Sequence, residues 1–153
     1  MRANFSLIAS LIVSAFSFAP GAVAQTCAEA ARFGELEVVP STVAPGDSFT
    51  VHVDLTCAAQ LGYLPTYMDY YIEVLTDNNG HEAPILLARR TYLLGGTGLS
   101  PADTFSAQLP YWFYFTGAQY SVVFVNSFAM NGTMNNSVIT QGSISVPLNV
   151  TGI

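Results

Sequence analysis

Phe49-Thr50-Val51-His52-Val53-Asp54-Leu55 is the stretch that decides the fold class. Its apolar residues fall at every second position. An extended chain therefore puts Phe49, Val51, Val53 and Leu55 on one face and Thr50, His52 and Asp54 on the other. That is a strand with one face in a core and one toward water. Val43-Ala44-Pro45-Gly46-Asp47 just before it reads as a turn, with Pro fixing φ and Gly relieving strain.

Outward from this strand the period of two recurs and helical periodicity is scarce. Residues 70–75, 85–93 and 104–109 read as further strands, and Asp77-Asn78-Asn79-Gly80 as a turn. Tyr120-Ser121-Val122-Val123-Phe124-Val125 is apolar on both faces, as expected of a central strand. The last strand, 143–151, turns Ile144, Val146, Leu148 and Val150 inward. Pro147 lies among its outward positions and cannot donate to a ladder, which predicts an edge. Cys27 to Phe33 carries enough Ala for a short helical turn. Tyr120, just after the Gly117 turn, sits where a tyrosine corner is found. The expected fold is all-β: a single-domain, immunoglobulin-like antiparallel β-sandwich of about seven strands.

The 153 residues divide into an expected signal peptide, 1–24, and the sandwich domain, 25–153. Met1-Arg2 opens the leader, an apolar run reaches from Phe5 to Phe18, and Ala22-Val23-Ala24 is a small-x-small cleavage pattern. The apolar run is too short to span a bilayer. The tail Asn149-Val150-Thr151-Gly152-Ile153 lacks the hydrophobic stretch of a lipid-anchor signal. The expectation is a secreted, extracellular protein with no membrane anchor. Gln25 at the new amino terminus excludes the copper oxygenases that bind metal through an amino-terminal His.

The formal charge is −6, and all four basic residues are Arg. Arg2 leaves with the leader, so three Arg against ten Asp+Glu give −7. Nucleic acid and anionic membranes both require a basic surface, so neither is an expected partner.

Cys27 and Cys57 are the only cysteines, and an oxidising compartment pairs them. Closing a loop of about 30 residues is worth roughly 3.5 kcal/mol in the chain-entropy model. Three N-x-S/T sequons, at Asn131, Asn135 and Asn149, are candidate glycosylation sites.

No catalytic constellation appears, so neither enzymatic activity nor a cofactor is expected. There is no GxSxG elbow. His52 reads as a solvated residue on the polar face of its strand, and His81 as a loop residue. Two His without a third ligand make a poor zinc site. Asp77-Asn78-Asn79-Gly80 lacks the spaced oxygens and closing Glu of an EF-hand. Asp69 and Glu73 share a strand face, which solvation alone explains, although carboxylates can also meet only in the fold. Arg89-Arg90, a dibasic pair, is expected to be protected within a strand.

The distinctive feature is Pro110-Tyr111-Trp112-Phe113-Tyr114-Phe115. If extended, Tyr111, Phe113 and Phe115 face one way and Trp112 and Tyr114 the other. One set enters the core, and Trp112 with Tyr114 forms a platform for a sugar ring or a protein hot spot. The competing and favoured reading is a loop across the end of the sandwich that buries most of its rings. Tyr63, Tyr67 and Tyr71 extend the platform if exposed.

Two blocks resemble the fungal necrosis-inducing secreted proteins. Pro40-Ser41-Thr42-Val43-Ala44-Pro45-Gly46-Asp47-Ser48-Phe49-Thr50 is similar to their opening strand pair. Gln119-Tyr120-Ser121-Val122-Val123-Phe124, then Ser127-Phe128, Asn131-Gly132 and Val146-Pro147-Leu148-Asn149-Val150-Thr151, are similar to their carboxyl half. Between them, Ile85-Leu86-Leu87 and Thr91-Tyr92-Leu93-Leu94-Gly95 match an aliphatic strand and glycine turn. The resemblance implies a non-catalytic effector that suppresses plant immunity by binding receptor-associated immune kinases. The cysteine pair and the aromatic run fall outside it, and it assigns no binding residue. The alternatives are an extracellular carbohydrate-binding or cell-wall module using Trp112 and Tyr114, and a small hydrolase whose carboxylates assemble in the fold.

Overall fold

The computed structural model describes residues 27–78, 80, 82–92 and 101–153. The leader, Gln25, Asn79, His81 and Leu93-Leu94-Gly95 lie outside the described residues.

Two antiparallel sheets face each other. β1 (Glu35–Val39), β3 (Ser48–Asp54) and β6 (Ala102–Gln108) form one, in the order β1-β3-β6. β4 (Tyr67–Val74), β5 (Ile85–Thr91), β7 (Tyr120–Asn131) and β8 (Ser137–Pro147) form the other, in the order β5-β4-β7-β8. A short parallel pair, β2 (Thr42–Val43) with β9 (Asn149–Val150), joins the first turn to the end of the chain. The all-β sandwich expected from the alternation is the observed architecture.

The decisive stretch behaves as its pattern dictates. Phe49, Val51, Val53 and Leu55 are buried, and Thr50, His52 and Asp54 face outward. β7, apolar on both faces, is held between β4 and β8, while β8 pairs with β7 alone and is an edge. The 3-10 turn at Glu29–Ala31 occupies the expected helical segment.

Inward side chains of β3, β4 and β7 make the core. Tyr70, fully buried, crosses from one sheet to the other: its ring meets Phe105 of β6 edge-on at 4.8 Å and tilts against Phe124 at 5.1 Å. Its hydroxyl donates to the Asp103 carboxylate at 2.9 Å. Burial, and then the Asp103 charge, push this phenol far above its ordinary range, so it is a constant donor. Arg90 of β5 reaches the same carboxylate at 2.7 Å, its guanidinium over the Phe105 ring. One acid thus ties β4, β5 and β6 together.

Just beyond the end of β3 that pairs with Asp103, Cys27 and Cys57 are bonded, Cα to Cα 5.4 Å. The bridge fastens the amino-terminal segment to α1 (Thr56–Gln60), a short helix that the sequence reading did not anticipate. Asp54 marks its start by accepting the Thr56 N–H at 2.7 Å, and bonds from Thr56 hold this carboxyl below its ordinary value. Asn126, fully buried, donates to the Tyr63 carbonyl at 2.8 Å and the Phe33 carbonyl at 3.3 Å. The rings of Phe33, Tyr63 and Phe128 cluster above it. Phe33 lies directly on Gly142, where a Cβ would stand 2.3 Å from the ring.

Candidate functional site

The aromatic run begins where β6 ends. Buried Leu109 exchanges two backbone bonds with the 44–47 turn: Gly46 N–H to its carbonyl at 2.8 Å, and its own N–H to Asp47 at 2.9 Å. Gln108 adds a side-chain bond to the Gly46 carbonyl. Gly46 has φ +92°, and a Cβ there would lie 2.2 Å from the Tyr111 hydroxyl. Only glycine allows both the turn and the ring laid over it.

Beyond this clamp the chain is a loop. Pro110 has no N–H for a ladder, and its carbonyl accepts from the Tyr114 hydroxyl at 2.9 Å. Tyr114 packs edge-on against Tyr120, centroids 5.3 Å apart. The Tyr120 hydroxyl accepts the Phe115 N–H at 2.9 Å and donates to Glu82 at 2.6 Å. This is the backbone bond of a tyrosine corner. Burial pushes both phenols up to about 12, the Glu82 bond adding to the shift at Tyr120. Both stay protonated at neutral pH.

The remaining rings point out. Tyr111 is 82 % exposed, Phe113 81 %, Trp112 62 % and Phe115 56 %. The expected alternation fails because the segment is not a strand. The favoured expectation of mostly buried rings fails too, since Tyr114 alone turns in. The Trp112–Tyr114 pair is therefore divided: Trp112 is outside, its neighbour Phe113 at 65° to it, while Tyr114 braces the loop from within. Pro45, Tyr111, Trp112, Phe113, Gly152 and Ile153 surround an open hollow of about 570 Å³. No charged side chain lines it, and none follows Asp103 anywhere in the chain. That charge-free run, readable from the sequence, contains the loop together with β7 and β8.

The other candidates lie elsewhere. Tyr63 belongs to the Phe33 cluster. Tyr67 and Tyr71 lie on the outer face of β4, where Tyr67 pairs with Ser127 while Val74 pairs with Tyr120, so Tyr67 is at the end remote from the aromatic loop. Asp69, buried on that outer face, receives two bonds from Arg89, at 2.7 and 2.9 Å. Arg89 is held well above its ordinary value by that bonding. Asp69 and Glu73 share a face, but Asp69 is committed to this pair. Both members of the dibasic pair are thus bound within β5, as expected. His52 lies on the outer face, its Nδ1 2.6 Å from the Thr104 hydroxyl on β6. Among the described residues no three His, Cys, Asp or Glu side chains are grouped to hold a metal.

All three sequon asparagines are exposed. Asn131 and Asn135 flank the tip of the β7–β8 hairpin, and Asn149 lies at the opposite end, near the aromatic loop. Compared with known proteins, the chain matches no family model and no curated protein.

Proposed function

We propose that this chain is a secreted, non-catalytic binding protein that suppresses plant immunity by engaging a receptor-associated kinase, with the 111–115 loop as its contact surface. The observation that carries the reading is four large rings exposed together at one end of the sandwich, within a charge-free segment. Trp and Tyr dominate binding hot spots because they bury much area with little rotamer entropy to lose. The loop supplies them on a braced base: the Gly46 clamp on one side, Tyr114 and Tyr120 on the other. Partner and setting come from the resemblance to the necrosis-inducing proteins.

A carbohydrate module is the second reading. Sugar rings favour coplanar aromatic faces, whereas Trp112 and Phe113 stand at 65° and Tyr114 is turned inward. The loop's geometry therefore supports a shaped protein contact better than a polysaccharide chain.

The test is a pull-down of the disulfide-bonded protein against plant receptor-kinase domains, with insoluble chitin and β-glucan in parallel. Trp112 is the only tryptophan, so its emission reports contact at the loop directly. The expected result is saturable kinase binding with a blue shift, weakened about 30-fold in Trp112→Ala. Polysaccharide retention that disappears in Trp112→Ala, or kinase binding indifferent to it, overturns the proposal.

A further inference from the structure

The β7–β8 hairpin runs past the rest of its sheet. β4 ends its pairing with β7 at Ser127, but β7 continues to Asn131 and β8 starts at Ser137, paired residue for residue. Ala129–Ile139 therefore project as two strands. Among their polar residues four large apolar side chains are exposed: Met130, Val138 and Ile139 stand open, and Met134 at the tip is 94 % exposed. A two-stranded ribbon by itself is marginal in water.

β8 also presents a free backbone. Phe33 covers it at Gly142, and the amino-terminal segment flanks it at Ile144–Val146. From Ser137 to Gln141 no described strand pairs with its outer side. Proteins guard such edges with Lys, Pro, a bulge or a covering element. Ser137-Val138-Ile139-Thr140-Gln141 has no charge and no Pro, and its register with β7 is unbroken.

We propose that this free edge of β8 pairs antiparallel with the same edge of a second copy, joining the two four-stranded sheets across a twofold axis. A twofold suits the groups present, because each strand offers its partner the donors and acceptors that it receives. Charge selects the place and the occupant. The chain carries a net −6, so two copies repel through most approaches. The hairpin belongs to the stretch after Asp103 that bears no charge, so pairing there sets no like charges opposite one another. It also covers Ile139, which otherwise stays in water. Five residues make a small interface, so the dimer is weak, with a dissociation constant on the order of 100 µM. Asn131 and Asn135 sit at the end of this edge, and a glycan on either one obstructs the approach.

The test is sedimentation velocity of the secreted protein after endoglycosidase treatment, from about 5 to 500 µM. The expected result is a monomer at the low end, a dimer at the high end, and a dimer strengthened by salt as the net charge is screened. Ile139→Lys, at an exposed position, should leave the melting temperature within about 1 °C and weaken the dimer at least tenfold. Ser137→Lys is the second variant and should act in the same direction. A single monomeric species throughout the range, or a dimer that neither variant weakens, overturns the proposal. A heteromeric complex formed through this edge while the protein alone stays monomeric also overturns it, in favour of a foreign strand.

Discussion

Replacing Tyr120 by Phe removes one oxygen and leaves the ring where it is. That ring is 4 % exposed and braces Tyr114, so the packing survives. Two bonds are lost. The Phe115 N–H no longer finds the hydroxyl at 2.9 Å, and Glu82 no longer receives the proton at 2.6 Å. Glu82 is only half-buried and recovers water, so its loss counts for little. The amide dominates, and because it is only part-buried its loss is worth about the 1 kcal/mol of a net hydrogen bond. The variant should lose about 1 kcal/mol, which for a domain of this size lowers the melting temperature by about 3–5 °C. Hydrogen exchange localises the effect: the Phe115 amide should exchange about 5-fold faster, while amides in the middle of β3 and β7 keep their order of protection. A melting temperature changed by less than about 1 °C, with Phe115 exchange unaltered, would refute the view that Tyr120 pins the loop.

Gly142→Ala pushes a methyl group to within 2.3 Å of the Phe33 ring, which is already wedged beside Tyr63 and Phe128. Urea titration should show a loss of about 1–3 kcal/mol, and Gly142→Ala combined with Phe33→Ala should lose less than the two changes added together. At alkaline pH Tyr70, the phenol raised furthest, is joined in setting stability by the two phenols of the loop base. Their folded values, about 12, exceed the unfolded value of 10.0, so their contribution is complete below pH 10 and disappears as pH rises toward 12. Melting temperatures should therefore fall steeply above pH 10, and less steeply in Tyr120→Phe; equal slopes would exclude that role.

β3 was legible because every second residue is apolar and the intervening ones are polar, so one phase alone buries a face. The edge position of β8 was legible from Pro147, a residue that a central ladder excludes. The aromatic run offers no such handle. Each of its residues suits a core, so alternation has no polar partner to set its phase. The outcome is decided by Pro110 and by contacts distant in sequence, Gly46 beneath Tyr111 and Tyr120 against Tyr114. β1 is hard to read from sequence because it is short and turns only Leu36 and Val38 inward, alternating with Glu35 and Glu37. The Arg89–Asp69 pair depends on strand register and the Arg90–Asp103 pair on how the two sheets pack, neither of which the sequence prints.

The same exposure that suits the 111–115 loop to contact also makes it the natural cutting site for chymotrypsin-like proteases, which require an aromatic residue on an accessible, non-ladder backbone. The consequence follows from where the disulfide lies. Cys27 and Cys57 both precede the loop, so a nick after Trp112 leaves no covalent link between the fragments on either side. The carboxyl fragment would hold on only through non-covalent contacts: the β4–β7 ladder, the β2–β9 pair and core side chains. A nicked molecule would run as one particle in native conditions and as two chains in denaturant, even without reductant. Its amino-terminal part would keep β4 but lose the strand that shields it, exposing an apolar sheet edge ready to pair with any extended chain.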